Sequence, residues 1–306
     1  MKCVITGGSG FIGGFIAEKL AKEGEEVIIY DVVEPKFSLG KNIVYIKGDT
    51  RFSKNLQRVV KNSDEVYDMA GLLGTSELMF INKRAVNTNI IGAINVLEVC
   101  RKEKVKRLFY PTKVNGWLNT YSITKFAIEQ FHCMFKKNFN INTVVLRLFN
   151  VYGPREELYP VRKVAPLFIA QALNNKPIEI YGDGKQTVDL IYVEDVARII
   201  INATKNYRLD NILDVGSGTP ITVNDLAKKI IKITNSKSEI VYKKMRIGEP
   251  LRSNIKANMA KSKKYLNIGK LIDLDNGLKR TIKYYKSLDA EELNKALRYF
   301  KNRNKN

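Results

Sequence analysis

The sequence predicts an α/β chain: a doubly wound parallel sheet followed by a smaller α/β domain. Three observations point there. Short β-branched runs alternate with helical apolar patterns through the first half. A glycine-rich turn stands between the first such run and the first helical pattern. After Asn150 the rhythm loosens, and Pro154, Pro160, Pro166 and Pro177 punctuate shorter segments.

Cys3-Val4-Ile5 reads as a buried strand, followed by the glycine turn and a helix ending near Glu23. Val27 to Tyr30, Val44 to Ile46 and Glu65 to Tyr67 give strands two to four. Residues 85–103 carry Ile90, Ile94, Leu97 and Val99 at helical spacing. Arg107 to Tyr110 is the fifth strand, residues 121–137 a further helix, and Thr143 to Leu146 the sixth strand. Beyond Asn150, helical patterns at 164–173, 193–203 and 223–233 are joined by turns such as Gly182-Asp183-Gly184, and the tail from Asp289 is helical in spacing. The expected division is a first domain at 1–150, with segments of the second half returning to it, and a second at 151–306.

Of 306 residues, 44% are hydrophobic and 27% charged, ordinary globular proportions. The 52 Lys+Arg against 31 Asp+Glu leave a net charge of +21. That excess is mostly lysine, spread from Lys2 to Lys305, whereas arginine makes the bidentate contacts to phosphate and guanine. It reads as a lysine-rich surface rather than a nucleic-acid groove. Cys3, Cys100 and Cys133 form no CxxC pair and His132 is the only histidine, so Cys/His metal sites lack ligands and no metal is expected. No apolar run reaches the length of a membrane span, and glycines break the one that follows Lys2. The expectation is a cytoplasmic protein.

Gly7-Gly8-Ser9-Gly10-Phe11-Ile12-Gly13 lies between the first strand and the first helix. Glycine permits the tight turn and the close approach of backbone to a pyrophosphate, while the helix N-terminus offers free N–H groups. Gly7, Gly10, Phe11, Ile12 and Gly13 are therefore expected to hold the phosphates of a dinucleotide. Asp31 closes the second strand, where a carboxylate accepts both ribose hydroxyls of NAD and repels the extra phosphate of NADP. This is the Rossmann arrangement.

With its GxxGxxG spacing, the chain resembles the extended branch of the short-chain dehydrogenase/reductase superfamily, the nucleotide-sugar epimerases and dehydratases typified by UDP-glucose 4-epimerase, over nearly its whole length. The resemblance implies further NAD contacts at Asp49 and Thr50 in Gly48-Asp49-Thr50, at Ala70 and Gly71 in Met69-Ala70-Gly71, and at Asn89 in Asn89-Ile90-Ile91-Gly92. It also implies a homodimer packed through the helix from Asn89 and the helix from Tyr121, with Ile94, Leu97, Ile128 and Phe131 as apolar contacts.

Tyr121-Ser122-Ile123-Thr124-Lys125 is a YxxxK motif, whose i, i+4 spacing sets both side chains on one helix face. A free phenol, with a pKa of about 10, is a weak base at neutral pH, and a neighbouring ammonium together with the positive nicotinamide of NAD⁺ lowers that value. Tyr121 is expected to take a proton from a sugar hydroxyl while hydride leaves for NAD, with Lys125 also holding the nicotinamide ribose. The family's third member is a Ser or Thr after strand five. A gapless match sets Pro111 there and a one-residue shift sets Thr112, the only hydroxyl of that turn and the expected residue. The stretch from Thr112 to Tyr121 is shorter than is usual in the family.

The resemblance implies transient oxidation of a sugar hydroxyl, at C4, and re-reduction by the same NADH. The Asp-Glu pair of dehydratases and the glutamate of decarboxylases are missing beside Thr112, which leaves epimerisation of a nucleoside-diphosphate sugar. The alternatives are another oxidoreductase of this branch (a keto-sugar reductase or dehydratase) and a non-catalytic NAD-binding regulator. Substrate contacts are implied at Asn150, Arg155, Tyr181 and Arg246. In Gln186-Thr187-Val188-Asp189, Val188 stands where the family has a phosphate-binding arginine, so either Lys163, Arg155 or Arg252 is expected to hold the diphosphate instead, or the substrate is not a conventional nucleotide sugar.

Overall fold

A computed structural model describes residues 1–114, 116–206 and 211–303. The first half runs β1 (Lys2–Thr6), α1 (Phe11–Lys22), β2 (Glu26–Asp31), β3 (Ile43–Lys47), α2 (Ser53–Val60) and β4 (Glu65–Asp68). A 3₁₀ turn (Glu77–Phe80) leads to α3 (Asn82–Val86), a π-helical turn (Asn87–Ile91) and α4 (Gly92–Lys102). Then come β5 (Arg107–Lys113), α5 (Thr120–Phe139) and β6 (Thr143–Leu148). The helix expected over 85–103 is thus three pieces joined through the π turn.

The second half comprises β7 (Asn150–Tyr152), α6 (Val164–Leu173), β8 (Ile178–Tyr181), β9 (Thr187–Val188), β10 (Leu190–Tyr192), α7 (Val193–Lys205) and β11 (Leu213–Val215). It continues through β12 (Ile221–Thr222), α8 (Val223–Thr234), β13 (Ile240–Lys243), α9 (Met259–Tyr265), α10 (Leu274–Ser287) and α11 (Ala290–Arg303).

The main sheet has seven parallel strands in the order β11-β6-β5-β4-β1-β2-β3. Helices cover both faces, so β1 and β4 are buried almost throughout, and the buried acids of β4 are held by partners: Glu65 pairs with Arg107 and Asp68 accepts from Thr6. One face packs Cys3, Ile5, Ile16, Leu20, Ile199 and Ile200 together; the other gathers Val4, Leu56, Val66, Leu97, Leu108 and Phe135. The strand order reverses between β1 and β4, and the crevice at their carboxyl ends is where such sheets bind ligands. Segments of the second half return here: β11 extends the sheet beside β6, and α7 packs on α1.

The second half builds its own core from Phe168, Ile169, Ile178, Ile180, Leu226, Ile230, Leu278 and Ile282. Three two-stranded pairings, β10 with β7, β12 with β9 and β13 with β8, supply its backbone hydrogen bonds.

Two of the apolar residues expected on the outside are inside. Leu97 and Ile128 are fully buried, Leu97 in the core beneath the sheet and Ile128 against Tyr110 and Val145. Ile94 and Phe131 are partly buried against the same small cluster. The expected face of α5 points at the sheet; its exposed apolar stripe is Ile123, Phe126 and Met134.

Asp189, fully buried between β9 and β10, joins distant segments. Its carboxylate accepts from the Ser217 N–H and hydroxyl (both 2.7 Å), the Gly218 N–H (3.0 Å) and the Ala257 N–H (2.8 Å). Replacing it by alanine strands these donors. Asp189→Ala is expected to destabilise the fold by about 3–5 kcal/mol, read as a lower midpoint in urea unfolding.

Candidate active site

A cavity of about 930 Å³ opens at the carboxyl ends of the strands and is walled by both halves of the chain. Gly7, Gly10, Phe11, Ile12 and Gly13 line one end. Gly7 has φ +66°, and a Cβ there would stand 2.7 Å from Met69 C and Ala70 N; a Cβ on Gly13 would stand 2.5 Å from the Gly7 carbonyl oxygen. These turns fit together only without side chains. Helix α1 starts at Gly10 with no side-chain cap and no acid in its first turn, which leaves its N–H groups for an anion.

Asp31 lines the same end at the tip of β2. The Ser9 N–H donates to one carboxylate oxygen and the Val33 N–H to the other, each at 3.1 Å, so the group is oriented yet keeps acceptor capacity. Burial raises its pKa, partly offset by those backbone donors. Asp49, Thr50, Ala70 and Gly71 also line the cavity. Arg51 grips the Asp49 carboxylate (2.6 Å) and lowers its pKa. Asn89 is the exception among the expected cofactor contacts. It is buried behind the wall, accepting from Leu72 N–H (2.7 Å) and donating to the Leu72 carbonyl (3.1 Å) and Thr124 Oγ1 (3.2 Å). Its role here is to pin the loop after β4 to helix α5.

Tyr121, Lys125 and Thr112 meet on the adjoining wall. Asn119 caps α5, accepting from Ser122 N–H (2.9 Å), and so fixes the start of the helix that carries Tyr121. Lys125 donates to the Pro111 carbonyl (2.9 Å) and lies 4.4 Å from the Tyr110 ring centroid. Thr112 Oγ1 is 3.5 Å from the Lys125 carbonyl oxygen. Burial pulls the Lys125 amine down, against the opposing charge of buried Asp68, itself pushed up by burial.

The expected lowering of the Tyr121 pKa draws on Lys125 together with the positive nicotinamide of NAD⁺, and in the protein alone it is not seen. Burial raises the phenol well above its ordinary value. Desolvation of the phenol is the cause, and the Lys125 ammonium is meanwhile engaged by the Pro111 carbonyl.

Asn150, Lys163, Tyr181 and Arg246 line the part of the cavity built by the second half. Arg246 lies 5.7 Å from the Tyr181 ring centroid and pairs with Glu77 (3.3 Å) and Glu249. Lys163 faces Glu156 at 3.5 Å. Arg155 does not line the cavity. Its guanidinium clamps Glu18 through two hydrogen bonds (2.7 and 2.9 Å) and stacks over Phe15, 4.0 Å from the centroid, so it ties the second half to α1. Arg252 pairs with Asp183 (3.7 Å) and is largely exposed.

Three groups went unnoticed in the sequence: Lys113, whose amine is pushed down to about 8 by burial, Glu156, pushed up to about 7 by burial, and Asp68. Lys113 and Glu156 line the cavity. No local pattern marks Glu156 or Asp68, and Lys113, though next to Thr112, reads in the sequence only as the absence of the dehydratase acids.

The sequence matches the NAD dependent epimerase/dehydratase family over residues 3–216. The chain belongs to that family. It is 29% identical, over 95% of its length and 99% of the relative's, to the UDP-N-acetyl-alpha-D-glucosaminuronate decarboxylase of Bacillus cytotoxicus. A putative UDP-glucose 4-epimerase of Methanocaldococcus jannaschii is 28% identical, with 93% of this chain and 98% of the relative covered. The UDP-glucuronic acid 4-epimerase of Bacillus cereus, solved with UDP-glucuronic acid and NAD, superposes with a TM-score of 0.85 at 26% identity, over 94% of this chain and 100% of that one. This epimerase/dehydratase family member is an NAD-dependent enzyme, and its glycine cradle and Asp31 fit that cofactor. No helix among the described residues is long and apolar enough to cross a membrane.

A carboxylate in the place of Asp31 would accept ribose hydroxyls and repel an added phosphate, so NAD is expected to bind tighter than NADP, with Asp31→Asn narrowing the gap in calorimetric titration. Its raised pKa sets the sign with pH. The carboxylate is charged above that pKa, so NAD affinity falls as pH drops through a range higher than that of a solvated aspartate.

Proposed function

We propose that this enzyme is a nucleotide-sugar epimerase that oxidises a sugar hydroxyl, at C4, and reduces the keto-sugar again within one binding event. What supports this reading is one juxtaposition: Tyr121, Thr112 and Lys125 share a wall of a cavity whose other end is the glycine cradle. Beside Thr112 stands Lys113, not the Asp-Glu pair of the dehydratases or the glutamate of the decarboxylases.

Bound NAD supplies a hydride acceptor, and as NADH the donor for the return step. Thr112 orients the reacting hydroxyl, and Tyr121 Oη takes its proton and later returns it. Burial holds Tyr121 protonated at rest, so its activation depends on cations brought to bear on it: Lys125, four residues on in the same helix, and the positive nicotinamide of NAD⁺. Asp31, the glycine turn, Asp49, Thr50, Ala70 and Gly71 hold the cofactor, with Asn89 positioning the loop that carries Ala70 and Gly71. Asn150, Lys163, Tyr181 and Arg246 hold the nucleoside diphosphate. Residues 1–150, with the returning segments, serve the cofactor, and 151–306 the substrate.

The homodimer remains part of this reading, through a revised surface. Leu118, Ile123 and Phe126 are exposed at 87%, 56% and 59%, an apolar strip at the head and flank of α5. Phe126→Glu is expected to convert a dimer into a monomer in sedimentation at micromolar concentration; a wild-type chain already monomeric there would contradict the dimer.

Tyr121→Phe keeps the ring and removes the proton acceptor. Turnover of UDP-sugars, followed by NMR of product stereochemistry, should fall on the order of 10²–10⁴-fold with NAD affinity little changed. Lys125→Met should harm both, and Thr112→Val should cost less than Tyr121→Phe. Near wild-type turnover by Tyr121→Phe would remove this assignment of the reaction centre.

A further inference from the structure

Lys113 ends β5 at the cavity wall beside the YxxxK helix. Its Nζ donates to Ser122 Oγ (2.8 Å) and lies 5.1 Å from the Trp117 ring centroid and 5.2 Å from that of Tyr121. A hydroxyl and two ring faces orient an ammonium without neutralising it. Among the described residues no ion pair ties Lys113. Glu249, whose charge it senses, is itself held by Arg246 and by the Thr75 hydroxyl.

A half-buried cation with no protein counter-ion costs the folded chain solvation, and a ligand anion relieves that cost. Two parts of a nucleotide sugar can supply one. The diphosphate already has Lys163, Arg162 and Arg246 on the wall built by the second half. Lys113 instead stands against the Tyr121 ring, where the sugar reacts.

We propose that Lys113 recognises a carboxylate on the sugar, so that the substrate is a nucleotide-linked uronate. This rests on the nucleotide-sugar reading above. The B. cytotoxicus and B. cereus relatives are named for uronates, in keeping with it. Burial, which pushes the amine down to about 8, supports the geometry: a carboxylate drawn to it restores the charged form.

The test is calorimetric titration of the NAD-loaded protein with UDP, UDP-glucose and UDP-glucuronate. The wild type is expected to bind UDP-glucuronate roughly tenfold or more tightly than UDP-glucose, the scale of one charge-assisted hydrogen bond. Lys113→Met should erase that gap, and Lys113→Arg should keep much of it. In the wild type the gap should shrink as pH rises from 7 towards 10, because the uronate stays ionised while the ammonium is lost. Glu249 and Tyr121, the other titratable groups facing Lys113, are the controls, through Glu249→Gln and Tyr121→Phe, which should preserve this pH trend. Equal wild-type affinity for the two sugars overturns the proposal, as does a Lys113→Met variant that weakens UDP as much as UDP-glucuronate, which would assign Lys113 to the diphosphate. Failure of all three ligands to bind removes the nucleotide-sugar reading itself, and the proposal with it.

Discussion

The constraint on which the structure depends is the contact between the turn after β1 and the turn after β4. Met69 and Ala70 press against Gly7, and the Gly7 carbonyl fills the space where a side chain on Gly13 would stand. No other residue type fits either position without moving backbone, so the cradle is fixed by what is absent from it. The same contact carries the polar wiring of the site. Thr6 Oγ1 donates to Asp68 (2.5 Å) and accepts from Ala70 N–H (3.3 Å), which sets the depth of the loop after β4. Asp68 in turn is the buried charge that Lys125 feels. Cofactor cradle and reaction centre are thus linked through the carboxyl ends of β1 and β4.

Burial shapes the chemistry of this cavity more than pairing does. It raises Tyr121, Asp68 and Glu156 and lowers Lys113 and Lys125, in each case favouring the neutral form. This brings Asp68, Glu156, Lys113 and Lys125 towards the range that exchanges protons near neutral pH, whereas it carries Tyr121 away from it. It also makes every arriving charge count, because little water remains to screen it.

The parallel sheet, the glycine turn, Asp31 and the YxxxK pair were legible because each rests on local spacing. A strand–turn–helix needs its glycines at fixed offsets, and i, i+4 alone puts Tyr121 and Lys125 on one face. What failed to show depended on distance or phase. Arg155 looked like a substrate contact because its partner, Glu18, lies in α1 and no local pattern announces it. Leu97 and Ile128 were given the wrong face. The π turn at Asn87–Ile91 shifts the helical phase before α4, and α5 rests its Ile128 side on the sheet. Lys113 was hidden in another way: among 52 basic residues, one more lysine carries no signal until Trp117 and Tyr121 are seen around it.

The cations of the cavity therefore fall into two kinds, and the difference bears on recognition. Arg246 is engaged by Glu77 and Glu249, Lys163 faces Glu156, and Arg162 reaches Glu179 at 3.6 Å. A phosphate arriving at these groups gains only the difference between its own attraction and the carboxylates it displaces or shares. The Arg246–Glu77 pair also holds the halves in register: Glu77 precedes α3, Arg246 follows β13, and Asn119, the cap of helix α5, donates to the Gly248 carbonyl (2.8 Å). Loosening Arg246 from Glu77 thus loosens the wall that faces Tyr121. Lys113 has no such prior engagement among the described residues, so an anion beside it keeps its full attraction. A cavity built this way discriminates by the charge on the sugar more sharply than by the diphosphate that all its candidate ligands share.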